Sequence, residues 1–144
     1  MAIRSRLNFR PCVDDEDPDD FRPRSQWAAA SDPRTDLVVT VDKVALGDRV
    51  PLHTHPVDEV IVVTGGASRV QVGDEVAVVQ PGAVLFAPRG TPHGGAPIED
   101  EVTFFGFFAT PTIETQYLER NPAPGTEGQP PQSAVVFDVR TEQA

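Results

Sequence analysis

From Leu37 onward the chain is a series of short apolar runs, each closed by glycine or proline, and this punctuation confines it to β architectures. Residues 37–46 are rich in valine and stop at Gly47-Asp48, and residues 57–64 stop at Gly65-Gly66. Residues 68–72 and 75–80 flank Gly73-Asp74, a pair suited to a hairpin turn that needs positive φ. Pro81-Gly82 and Pro88-Arg89-Gly90 bracket residues 83–87, and residues 102–109 and 134–140 complete the set. Strands so short and so evenly spaced pack as a sandwich or barrel. No long segment repeats at the helical period.

The flanks read differently. Residues 1–36 are charged and punctuated by Pro11, Pro18, Pro23 and Pro33, which predicts an arm lying against the domain, anchored by Phe9, Phe21 and Trp27. Within it only Trp27-Ala28-Ala29-Ala30 predicts a short helical turn. Residues 121–132 form a low-complexity tether of proline, glycine and polar residues. Such a tether would carry the last strand somewhere distant, a partner subunit included. The expected division is therefore an arm at 1–36, a barrel core at 37–110 and a C-terminal extension at 111–144. A chain of 144 residues is long enough to bury one genuine core.

Charge and cysteine usage exclude several functions. A net charge of −10 disfavours nucleic acid and anionic membrane surfaces as partners. Much of that charge falls on Asp14, Asp15, Glu16, Asp17, Asp19 and Asp20, a run without the glycine turn or ligand spacing of a calcium loop, and so read as solvated. Cys12 is the single cysteine, which rules out an internal disulfide and a thiolate metal cluster. Runs such as Val60-Ile61-Val62-Val63 are far too short to span a bilayer, and no apolar stretch follows the charged N-terminus to act as a signal peptide. A cytoplasmic protein is expected.

The three histidines carry the chemistry. His53 and His55 are two apart and Glu59 follows four later, so on an unbroken strand all three would share one face. Pro56 stands between them and can bend the chain. His93 arrives from a separate turn after Pro88-Arg89-Gly90-Thr91-Pro92. Three imidazoles and a carboxylate suit one divalent transition ion: Fe, Mn, Ni, Co, Cu or Zn. The bland alternative is a polar His-x-His loop with Glu59 exposed. Against it, Glu59 alternates in phase with Val57 and Ile61, and a carboxylate facing a barrel interior is costly without a cation or donors.

At these residues the chain resembles the cupin superfamily. That family's first motif is matched by Gly47, five residues, His53-Thr54-His55, three residues, Glu59, six residues and Gly66. The second is matched by Gly82, five residues, Pro88-Arg89-Gly90, two residues and His93, while Pro97 replaces its final asparagine. The resemblance implies an all-β fold: a single cupin jelly-roll, or double-stranded β-helix, of six to eight strands with irregular N- and C-terminal arms. It also implies one metal ion held by His53, His55, Glu59 and His93 near one end of the cavity.

Pocket polarity then suggests a reaction class. Val102, Phe104, Gly106 and Phe108 share one strand face and Phe105 and Phe107 the other, so both faces are covered. Phe86, Phe104 and Phe108 are the expected pocket aromatics, and the opposite face is where a homodimer contact is expected. Arg89 and Gln71 are the polar residues nearest the motifs and are both expected to face solvent. An apolar cavity with one ion at its base suits a small hydrophobic or aromatic molecule. The ligand set resembles that of cupin dioxygenases, with Glu59 also able to act as a base. A non-redox metal-assisted polyketide cyclase or isomerase is the alternative, and a non-catalytic small-molecule-binding cupin the third reading.

Overall fold

The computed structural model describes residues 2–12, 22–120 and 130–142. The acidic run at 14–20, Phe21 and residues 121–129 of the tether lie outside the described residues. The strands in chain order are β1 (Arg10–Pro11), β2 (Gln26–Ser31), β3 (Val38–Val44), β4 (Val50–Thr54), β5 (Glu59–Gly65), β6 (Ser68–Val72), β7 (Glu75–Val79), β8 (Val84–Ala87), β9 (His93–Pro97), β10 (Val102–Phe108), β11 (Thr112–Tyr117) and β12 (Val135–Asp138). A single helical turn, α1 (Val139–Glu142), closes the described chain. No helix among these residues is long and apolar enough to cross a membrane.

The strands form two six-stranded antiparallel sheets, ordered β1-β2-β3-β10-β5-β8 and β12-β11-β4-β9-β6-β7. What forms is the all-β architecture expected from the punctuation and the jelly-roll implied by the resemblance. It has more strands than the six to eight implied by the resemblance, because both flanks add their own. Glu59, Ile61 and Val63 of β5 turn inward while Val60 and Val62 turn outward, the period of two that valine-rich strands impose. Val38, Phe108, Ile113 and Val139 pack into an apolar core, with Ala29, Val57 and Phe137 against it.

Several local expectations are corrected. Trp27-Ala28-Ala29-Ala30 is strand, not a helical turn: β2 pairs with β3 from Gln26↔Lys43 to Ser31↔Val38. Four residues cannot recover the cost of nucleating a helix, whereas the edge of β3 offers them a complete ladder. His93 begins a strand despite Gly94 and Gly95, because β9 threads between β4 and β6 where backbone comes very close. A Cβ on Gly94 would sit 2.6 Å from the Val50 carbonyl oxygen, so glycine is the residue that fits. The last strand is shorter than expected, since the chain turns helical at Val139, and β12 pairs with β11 of the same chain. The hairpin at Gly73-Asp74 forms as expected, with Gly73 at φ 58°.

Candidate metal centre

The path from His53 to Glu59 does not follow one strand. β4 ends at Thr54, the chain bends through Pro56, and Glu59 opens β5 in the opposite sheet. His53 therefore sits on one sheet and Glu59 on the other, with His55 on the connection between them. Its place is fixed by a hydrogen bond from the Gly90 N–H to the His55 carbonyl at 2.8 Å. His93 lies directly across from His53 in the β4–β9 register. The shared face expected for residues 53, 55 and 59 is thus a shared cavity, bounded by both sheets.

All four side chains are buried, and one donor atom from each lies within 4.8 Å of the others. The imidazole centroids are 4.2 Å apart for His53 and His93, 4.8 Å for His53 and His55, and 5.1 Å for His55 and His93. Each Nδ1 faces a backbone carbonyl: Pro51 at 2.7 Å for His53, Glu114 at 2.7 Å for His55 and Thr91 at 2.9 Å for His93. A carbonyl only accepts, so each Nδ1–H donates and each Nε2 is aimed at the centre, where without metal His93 Nε2–H donates to Glu59. This is the outer arrangement that orients metal-binding histidines.

The carboxylate completes the set. Glu59 Oε1 is 2.9 Å from His93 Nε2 and 3.3 Å from His55 Nε2. Donor separations of this size match the edge of about 3.0 Å that ligand bonds of about 2.1 Å would give around a six-coordinate ion. His55 Nε2 is buried and has no hydrogen-bond partner, an orphaned atom of the kind a metal ion would satisfy. The donor set fits a divalent transition ion.

The electrostatics agree. Burial drives the His53 value down to about 3, and the neighbouring His93 and His55 rings push the same way. Burial alone would raise Glu59, but the attraction of the His55 and His93 rings beside it outweighs burial and holds the carboxyl at about 2. Burial works to lower His93, yet the Glu59 carboxylate beside it wins and raises it. The carboxylate is ionised and His53 neutral at neutral pH, the forms in which both bind metal.

The four donors line a cavity of about 550 Å³. Its walls are largely apolar and include Trp27, Ile61, Leu85, Phe104, Phe108 and Ile113. Phe104 and Phe108 stand where expected, and the edge of Phe108 meets His55 at 5.2 Å between centroids. Phe86 does not line the cavity: it is 68% exposed, because the register opposite Val60 turns it outward and turns Leu85 in. Gln71, expected to face solvent, instead lines the cavity with its amide donating to the Gly73 carbonyl, whereas Arg89 is exposed as expected, beside Asp58. Cys12, which sequence analysis gave no place at the site, is buried against the cavity. Tyr117 and Thr115 also line it, and Tyr117 lies opposite His53. Their alternation in Ile113-Glu114-Thr115-Gln116-Tyr117 was the signal that could have revealed them.

Fold and site together define a metal-binding jelly-roll. Residues 40–105, just under half of the chain, match the family model for the cupin domain, and this stretch carries that domain. Among solved structures it is similar to KdgF from Halomonas sp., with 27% identity and a TM-score of 0.55 over 62% of this chain and 83% of that one. It is also similar to an oxalate decarboxylase variant from Bacillus subtilis, with 19% identity and a TM-score of 0.59 over 65% of this chain. That match takes in only 28% of the decarboxylase, and at this identity the likeness is one of fold. A conserved protein of unknown function from Streptococcus pyogenes is 20% identical with a TM-score of 0.53, over 61% of this chain and 75% of that one. A search of curated proteins finds no match.

Proposed function

We propose that this cupin is a metal-dependent enzyme acting on a small hydrophobic or aromatic molecule, through an O₂-dependent reaction of the dioxygenase type. The observation that carries this reading is the convergence of three carbonyl-anchored imidazoles and one carboxylate on a largely apolar cavity of about 550 Å³. When bound, an ion of the Fe, Mn, Ni, Co or Cu type supplies redox chemistry and Lewis acidity at that point. The remaining work belongs to the chain. Trp27, Phe104 and Phe108 present flat apolar surface to a ring, and the buried walls keep bulk water from the donors. In this reading Glu59 also takes a proton from an enolisable or phenolic substrate.

That same carboxylate supports a second reading, a non-redox cyclisation or isomerisation, since proton abstraction next to a Lewis acid needs no oxygen. We further propose that the protein acts as a homodimer. The test begins with elemental analysis of protein purified without chelator, beside the His55→Ala variant. Near-stoichiometric Fe, Mn, Ni, Co or Cu that is lost in the variant, followed by O₂ uptake with enolisable aromatics, supports the oxygenase. Zn with no O₂ uptake moves the assignment to the cyclase or isomerase. Bound metal without turnover of any such substrate leaves a binding protein, and failure to take up any of these ions refutes the metal centre.

A further inference from the structure

The cavity has a second polar station, and half of it comes from chain outside the matched cupin domain. Arg22 Nη1 lies 3.0 Å from Asp42 Oδ1, and both side chains, 14% and 15% exposed, belong to the cavity wall. Asp42 lies two residues beyond Thr40 on the inward face of β3. Thr40 marks the level of the Glu59 carboxylate, because a Cβ placed on Gly106 would lie 2.9 Å from Thr40 Oγ1 and 2.4 Å from Glu59 Oε2. Two residues of strand span roughly 7 Å, which is about the length of a substituted aromatic ring. At the far level the walls are aromatic: Trp27 and Phe104 flank Asp42 in register, and both line the cavity.

An ion pair set into such a wall contributes little stability, because desolvation offsets most of the attraction. Its position between aromatic faces, one ring length from the metal donors, gives it another use. We propose that Arg22 and Asp42 form a recognition subsite for an uncharged hydroxyl group at the far end of an aromatic substrate whose near end lies at the metal. A guanidinium donates and a carboxylate accepts, and a hydroxyl answers both. A carboxylate in that place meets Asp42. A methyl group strips water from both charged groups and returns no hydrogen bond. This deepens the proposed function and rests on its metal centre.

The test is calorimetric titration of the Zn²⁺-loaded protein, under argon, with three catechols that differ only in the group para to one hydroxyl: methyl, hydroxymethyl or carboxylate. The hydroxymethyl compound is expected to bind about tenfold more tightly than either of the others. Asp42→Asn should tighten the carboxylate compound and leave the hydroxymethyl compound within about twofold, while Arg22→Gln should abolish the hydroxymethyl preference. Equal affinities in the parent protein overturn the proposal, as does a preference that survives both variants. If Zn²⁺ binds but no catechol does, the subsite falls while the metal centre stands. If Zn²⁺ does not bind, the metal centre falls first and the subsite with it.

Discussion

Glu59 reaches the three histidines through space that Gly106 leaves open. A Cβ on Gly106 would come within 2.4 Å of Glu59 Oε2, so Gly106→Ala must push the carboxylate off its place. Metal affinity is expected to fall by about tenfold to a hundredfold, the range for lost support around a ligand, measured by competition with a chelator. Adding Glu59→Asp should recover part of the loss, since the shorter side chain clears the new methyl; full affinity in Gly106→Ala alone would refute the steric argument. Protonation gives a second prediction. In metal-free protein, stability from His53 is present above 6.5 and lost as the pH falls toward about 3, and that from Glu59 is lost below 4.5 toward about 2. His93 runs the other way: its value is raised, so its contribution is present below 6.5 and lost as the pH rises through its folded value. Metal-free Tm should therefore decline on both sides of a maximum near pH 6.5. The increment in Tm on adding Zn²⁺ should grow with pH, because the ion competes with the His93 proton. A Zn²⁺ increment that shrinks from about pH 6 to about pH 8 would contradict the assignment of His93. The four donors were legible in sequence because their spacing is a motif. The carbonyls of Pro51, Thr91 and Glu114 that aim them were not, since a backbone acceptor has no residue signature.

Among the elements, the β4–β9 pair matters most to the centre, because it places His53 opposite His93. That pairing depends on Gly94, whose missing side chain admits the Val50 carbonyl and the Leu52 N–H. Gly94→Ala is expected to lower the urea midpoint by an amount worth about 1–3 kcal/mol, the usual cost of overpacking, and to weaken metal binding in the same variant. An unchanged midpoint with unchanged metal affinity would show that the two strands have slack. The same glycines explain why β9 was unreadable: Gly94-Gly95 looks like a loop to any local rule, and only the neighbouring backbones make it a strand. β5 and β10 were legible because valine and phenylalanine at period two already specify a buried strand. β2 was not, because its alanines carry no strand preference and its ladder comes from β3. The bend at Pro56 moved Glu59 to the other sheet without disturbing the reading, since either path delivers the carboxylate to the same enclosed space.

For the whole molecule the outstanding question is what covers the outer face of the β10 sheet. Two cross-strand rows run across it, Phe107–Val60–Phe86 and Phe105–Val62–Val84, and neither contains a charged residue. Phe86, Val84 and Phe107 are 68%, 51% and 43% exposed, and Phe105 stacks on Phe107 with centroids 6.4 Å apart. A chain with a net charge of −10 repels copies of itself at long range, so an uncharged apolar face is the place where contact costs least. A two-fold arrangement would bring the same rows together from each copy. Light scattering is expected to report twice the 15.6 kDa chain mass at micromolar concentration. Added salt should hold the dimer together or tighten it, because it screens the mutual repulsion and leaves apolar burial intact. Phe86→Asp should return the protein to 15.6 kDa without loss of metal, since that side chain lies outside the cavity. A monomer at every salt concentration would show that the face is merely exposed, and a dimer indifferent to Phe86→Asp would place the contact elsewhere.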